Sequence, residues 1–155
     1  MASQSQSNVV LMSIKPEYAN AIFDGLKLVE FRKQPFKHPV NHVIVYSSSP
    51  EKKIIGYFSL GDTDIGNPKT LWKRHRTVGA IEYVDYKAYF GDRDIGVAFQ
   101  VKKAHRLKKP IALGRLKRDI KPPQSYCYLA EKYFFKLKNL NQQEAKRRSG
   151  VRSGH

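Results

Sequence analysis

Apolar and polar positions along the chain alternate between the periods of short strands and short helices. An unbroken apolar run, Val9-Val10-Leu11-Met12-Ser13-Ile14, reads as a buried strand. Lys15-Pro16-Glu17 then opens a helix, because proline's fixed φ suits the first helical turn; Tyr18, Ile22 and Phe23 form its apolar stripe, and Gly25 ends it. From Lys27 to Arg32 polar and apolar residues alternate, as in a strand with one face on the core and the other on a cleft or solvent. Strict alternation puts Lys27, Val29 and Phe31 on one face and Leu28, Glu30 and Arg32 on the other. Lys27 and Arg32 then share a surface only if a bulge near Val29 shifts the register.

Farther along, His42–Ser47 and Ile54–Leu60 flank the turn-like Ser48-Ser49-Pro50-Glu51 and predict an antiparallel pair. Asn67-Pro68 predicts a capped helix carrying Leu71 and Trp72, with Lys73, Arg74 and Arg76 making its outer face basic. Val84–Phe90 reads as a short helix and Ile95–Val101 as a strand. The near-repeat Gly61-Asp62-Thr63-Asp64-Ile65-Gly66 and Gly91-Asp92-Arg93-Asp94-Ile95-Gly96 suits two tight turns. The competing reading, paired carboxylates for a divalent cation, lacks an EF-hand pattern. Lys102–Lys121 predicts a basic edge anchored by Ile111, Leu113 and Leu116, and Pro122-Pro123 breaks the chain. A last helix is expected from Ser125, its N-cap, to Leu137, packing Tyr128, Leu129, Phe134 and Phe135. The expected organisation is a flexible segment over 1–8, one mixed α/β (α+β) domain over 9–138, and a basic, disordered tail over 139–155.

Charge changes the picture most. Of 155 residues, 29 are Lys or Arg and 13 are Asp or Glu, a formal net charge of +16. Such an excess attracts polyanions without reading them, so RNA, DNA and an anionic membrane all remain partners on charge alone. No run of about 18 apolar residues is present to span a bilayer. The start, MASQSQSNVV, lacks the basic and apolar sections of a secretory signal. The reading is an intracellular, cytoplasmic chain with no membrane partner. The single Cys127 provides neither an intrachain disulfide nor a zinc framework and reads as a packing residue. His38 and His42 are spaced like helical zinc ligands, but Pro39 lies between them and nothing completes a motif. No metal and no cofactor are expected.

Gly25-Leu26-Lys27-Leu28-Val29-Glu30-Phe31-Arg32 matches G-x-K-x-x-E-x-R, and with Tyr46-Ser47-Ser48-Ser49-Pro50, Ile54-Ile55-Gly56 and Pro122-Pro123-Gln124-Ser125-Tyr126 it resembles the ASCH domains of the PUA-like superfamily over roughly residues 9 to 135. The resemblance implies a twisted β-barrel of five or six strands with flanking helices and a cleft for RNA or other nucleic acid. Relatives in that superfamily include RNA-modification accessory domains, readers of modified bases, a ribonuclease branch and an amidohydrolase branch acting on acetylated cytidine. The amidohydrolases carry a threonine nucleophile three residues after the motif lysine, where this chain has Glu30.

The expected function is therefore a module that binds RNA or single-stranded nucleic acid in a basic cleft, with DNA as a further polyanion. In it Lys27 and Arg32 hold phosphate or base-edge oxygens and Glu30 orients them or accepts from a base amino group. Lys15, Ser48 and Arg74 add polar contacts. Tyr57 and Trp72 are candidates for stacking on an unpaired base, although a lone Trp is more often a core residue and the core is the favoured reading for Trp72. Gln124, Ser125 and Tyr126 line the mouth. The alternative is an enzyme of the same fold, a ribonuclease or modified-nucleoside amidohydrolase, with Glu30 as general base and Lys27 stabilising negative charge. The segments Lys102–Lys121 and Lys146–Arg152 would clamp phosphates without specificity.

Overall fold

The computed structural model describes residues 8–153, with side chains described through Arg147. Its elements run β1 (Val9–Ile14), α1 (Pro16–Phe23), β2 (Val29–Arg32), β3 (His42–Ser47), β4 (Lys53–Gly66), α2 (Pro68–His75), α3 (Tyr83–Phe90), β5 (Gly96–Ile111), α4 (Leu113–Leu116), β6 (Tyr126–Leu129) and α5 (Glu131–Ser153). The strands form one six-stranded sheet in the order β2-β5-β4-β3-β1-β6. β1 and β3 pair in parallel and every other pair is antiparallel, so the expected β3–β4 hairpin is present. The sheet curls into a half-barrel with helices at its flanks, the mixed α/β, PUA-like architecture expected from the sequence.

Period-two alternation sorts β1 into both cores. Val10 and Met12 join Val43, Val45, Phe58, Phe99 and α1's Ala19 and Ile22 on the inner side. Val9 and Leu11 join Ile44, Leu107, Phe134 and Leu137 beneath α5. The unbroken apolar run is thus a central strand buried on both faces. A third cluster gathers Val29 and Phe31 of β2 with Leu71, Tyr86 and Phe90 of α2 and α3.

Three expectations are corrected. Gly61–Gly66 is not a tight turn: it continues β4, pairing Thr63 with Phe99 and Ile65 with Val97 after a register shift past Leu60. Its counterpart does turn, since Gly91 ends α3 at φ +57°, a backbone open to glycine. The final helix does not begin at Ser125. Residues Tyr126–Leu129 add a strand to the edge of β1, Tyr126 and Tyr128 pack on the inner cluster and Cys127 and Leu129 on the outer, and the helix starts at Glu131. That helix runs to Ser153 where a disordered tail was expected from residue 139. Leu140 packs on the outer cluster and Asn141 Oδ1 accepts the Lys108 amide at 2.8 Å, which anchors it beyond Leu137. Residues 1–7 and the side chains of 148–155 lie outside the described residues, so the expected N-terminal flexibility and the end of the basic segment are not addressed.

Tyr86 ties α3 to α2: its buried hydroxyl donates to the Pro68 carbonyl at 2.6 Å, and burial raises its pKa to about 12. The neutral phenol is favoured in the folded chain, so this stability is intact below pH 10 and is lost as pH rises toward 12. At about 1.4 kcal/mol per pKa unit the loss is on the order of 2–3 kcal/mol. Urea unfolding at pH 9 and pH 11.5 checks it: the difference shrinks by that amount in Tyr86→Phe, and an unchanged difference contradicts the assignment.

Candidate functional site

Lys27, Glu30 and Arg32 meet at the inner end of the half-barrel, and no bulge is needed. After α1 the chain turns at Gly25, φ +80°, and the amides of Leu26 and Lys27 both donate to the Ala21 carbonyl, at 2.9 and 3.0 Å. Ladder pairing with β5 starts only at Val29. Lys27 thus lies outside the strand, free of its alternation, and the expected strand from Lys27 is shortened.

The Lys27 side chain is 2% exposed. Its Nζ donates to the Gly79 carbonyl at 2.5 Å, stands 3.6 Å from Glu30 Oε1, and lies 5.1 Å from the Tyr18 ring centre and 5.4 Å from that of Phe31. Burial holds the amine below the usual lysine pKa, with Glu30 opposing that effect. Gly79 is required for this approach, because a Cβ there would lie 2.7 Å from the Phe31 ring. Arg32 binds Glu30 Oε2 through Nε at 2.9 Å and Nη2 at 2.8 Å. Nη1 also donates to Ser125 Oγ at 3.1 Å, and Nη2 to the Ser13 carbonyl at 2.8 Å.

Around this triad opens a cleft of about 830 Å³, within the size range of ligand pockets. The end of β1 and the turn after β3 contribute Ser13, Lys15, Tyr46, Ser48 and Lys52; α1 and α3 contribute Glu17, Tyr18, Asp85 and Tyr89; Gln124 closes it ahead of β6. Lys15 and Lys52 are exposed, and neither makes an ion pair among the described residues. Burial raises the pKa of Tyr18 and of Tyr89 above the usual tyrosine value. A smaller basin of about 400 Å³ adjoins the cleft, lined by Arg32, Lys33, Gln34, Tyr89, Arg93, Gln124, Ser125 and Tyr126.

Of the residues expected from sequence, Lys15, Lys27, Glu30, Arg32, Ser48 and Gln124 line the cleft, and Ser125 and Tyr126 line the adjoining basin. Three do not belong. Tyr57 packs on the outer cluster, stacked on His105 at 5.0 Å and edge-on to Phe134 at 5.1 Å, since its neighbour Phe58 takes the inner side of β4. Trp72 packs against Tyr83 and Tyr86 at 5.1 and 4.8 Å. Arg74 pairs with Asp64 of β4 at 3.0 Å and lines neither basin. Ser125 is a ligand of Arg32 rather than a helix cap. The sequence reading also misses Tyr18, Tyr46, Lys52 and Tyr89. Tyr18 sits in an amphipathic stripe and Tyr46 in a core strand, which hides their reach into the cleft; for Lys52 and Tyr89 the chain carries no local signal.

Among the described residues no three His, Cys, Asp or Glu side chains gather as metal donors, and no helix is long and apolar enough to cross a membrane. A family model described as the ASCH domain matches residues 12–133. The ASCH domain-containing ribonuclease of Zymomonas mobilis is 32% identical over 137 residues, 86% of this chain and 92% of that protein. ATP synthase subunit alpha of Ureaplasma parvum is 30% identical, and its large ribosomal subunit protein uL22 is 32% identical. The chain spans only 16% and 42% of their respective lengths. The crystal structure of ASCH from Zymomonas mobilis superposes with a TM-score of 0.79 at 29% identity, covering 86% of this chain and 95% of that one. The N-terminal domain of Staphylothermus marinus McrB shares the fold, with a TM-score of 0.54 at 13% identity.

Proposed function

From the premise that this chain belongs to the ASCH domain family, we propose that its cleft holds single-stranded RNA. The observation that carries the reading is the pairing of two uncommitted exposed lysines, Lys15 and Lys52, with the tyrosine rings Tyr18 and Tyr89 in one cleft. Phosphates meet the lysines, unpaired bases stack on the tyrosines, and the Gln124 amide faces base edges. Lys27 and Glu30 serve as the floor. Lys27 is covered and donates to Gly79, and both Glu30 oxygens face cations, so the pair positions Arg32 instead of contacting phosphate.

Cleavage is the second reading, favoured by the name of the Zymomonas mobilis relative, of which the chain covers 92%. In that reaction the ribose 2′-oxygen attacks the neighbouring phosphorus, its proton passes to a base, and the P–O5′ bond breaks as the leaving 5′-oxygen takes a proton. A 2′,3′-cyclic phosphate remains. Lys15 and Lys52 would stabilise the negative charge that builds on the phosphoryl oxygens. The Lys52 amine is the proton-transfer candidate, while Glu30 is too encumbered to be the base expected from sequence.

Fluorescence anisotropy with a uridine hexamer, a thymidine hexamer and an RNA duplex tests binding. Lys15→Ala/Lys52→Ala weakens hexamer binding about tenfold or more, and the log–log salt slope falls by about 1.4 for two single-strand phosphate contacts. An unchanged affinity would remove the cleft from the reading. Cyclic-phosphate product exceeding the protein concentration, absent in Lys52→Ala, selects cleavage; its absence in the wild type selects binding.

A further inference from the structure

The cleft and its smaller neighbour share three residues, Arg32, Tyr89 and Gln124, which form a low wall between them. The two basins differ in charge. The cleft is lined by Glu17, Glu30 and Asp85 as well as by cations. The smaller basin is lined by Arg32, Lys33 and Arg93 and by no carboxylate. It also carries an aromatic floor, Tyr126, held edge-on against Phe36 at 4.9 Å. Tyr89 faces both basins, and on the basin side Lys33 Nζ lies 4.8 Å from its ring centre.

On the RNA reading above, we infer that this second basin is a subsite for the next nucleotide of the same strand, so the ligand is an oligonucleotide and not a free nucleoside. A nucleoside in the cleft has no group to place among three cations. A strand has one. Its backbone crosses the wall over Arg32, its next phosphate meets Lys33 and Arg93, and its next base rests on Tyr126. The wall residues suit this crossing. Arg32 is fixed by Glu30, Ser13 and Ser125, so its remaining N–H groups stay in one place, and the exposed Gln124 presents an amide to either side.

The inference assigns different residues to ligands of different length. Lys33 and Arg93 are exposed and carry no core packing, so their replacement leaves the fold intact. Binding of uridine monophosphate, a uridine dinucleotide and a uridine hexamer is measured by competition against a labelled hexamer. The chains compared are wild type, Lys33→Ala/Arg93→Ala and, as a charge-matched control on α2, Lys69→Ala/Lys73→Ala. In the wild type, affinity climbs steeply from mononucleotide to dinucleotide. In Lys33→Ala/Arg93→Ala that step collapses, hexamer affinity falls about tenfold, and its salt slope drops by about 1.4, while mononucleotide affinity holds within about twofold. The α2 control loses less than about threefold on every ligand. Equal losses for mononucleotide and hexamer, or equal losses in the α2 control, overturn the subsite and leave general charge attraction. A hexamer weakened by Lys15→Ala/Lys52→Ala but untouched by Lys33→Ala/Arg93→Ala overturns the subsite alone and keeps the cleft. A wild-type chain that holds no RNA overturns both.

Discussion

Glu30→Gln lowers folding stability by about 3 kcal/mol or more, the magnitude for breaking a buried charge pair from one side. The carboxylate is the counter-charge of two cations, and one of them, Lys27, is 2% exposed and makes no ion pair with another carboxylate among the described residues. An amide keeps the shape and can accept one bond from Arg32, but it leaves Lys27 charged and dry, facing only the Gly79 carbonyl and two rings. Urea unfolding reads the loss, and Glu30→Gln/Lys27→Met recovers part of it because the stranded charge has gone. A loss below about 0.5 kcal/mol would mean the triad is solvated and its charges are screened. The result also bears on catalysis. A Glu30→Gln chain without activity is no evidence for a general base unless its folding has been shown to survive, which is why the cleavage test rests on Lys52.

Arg32→Lys has a comparable effect by a different route. The guanidinium donates in three directions at once, to Glu30, Ser125 Oγ and the Ser13 carbonyl. An ammonium on a flexible stem cannot occupy all three, so the change costs about 2–3 kcal/mol despite conserving charge. The local signature is the Ser13 amide, which donates to the Ser125 carbonyl at 2.9 Å and exchanges faster once Arg32 no longer holds the two segments. On the proposed RNA reading affinity falls with it, because this side chain is part of the wall between the two basins. Arg106→Lys is the control: its pair with Asp24 is exposed, and its loss stays within about 0.5 kcal/mol. Equal effects at the two positions would contradict the role given to Arg32.

The strands and helices legible in the sequence are those whose signal is local. The run from Val9 to Ile14, the proline-opened α1 and the Asn67 cap, whose Oδ1 accepts the Lys69 amide at 2.9 Å, all follow from short-range chemistry. Residues Tyr126–Leu129 failed that test. Their period of two spans only four residues, and they are a strand because β1 offers an unpaired edge, which no local pattern reveals. Gly61–Gly66 failed likewise, since Gly and Asp favour turns but β5 supplies a partner of sixteen residues. In the site, the G-x-K-x-x-E-x-R spacing singles out three side chains that the fold brings together, and leaves their roles open. Burial reverses the intuitive assignment: the motif lysine is the least accessible cation of the cleft, and the accessible ones, Lys15 and Lys52, lie outside the motif. Of the two aromatic residues weighed for stacking, Tyr57 packs on the outer cluster and Trp72 on the cluster under α2 and α3, where aromatic residues bury most area.

The two edges of the sheet, β2 and β6, are not joined by a ladder. The Arg32 side chain reaches from β2 to Ser125 just ahead of β6, and beyond it comes the loop after β2, where the amides of Lys37 and His38 donate to the Tyr128 hydroxyl at 2.9 and 3.2 Å. A barrel closed by backbone hydrogen bonds has a diameter set by strand number and stagger. A seam closed by side chains has an aperture instead, adjustable by the length of one residue or one loop while every strand and every core contact stays in place. Chains built on this sheet can therefore differ in the thickness of what they admit without differing in how they fold.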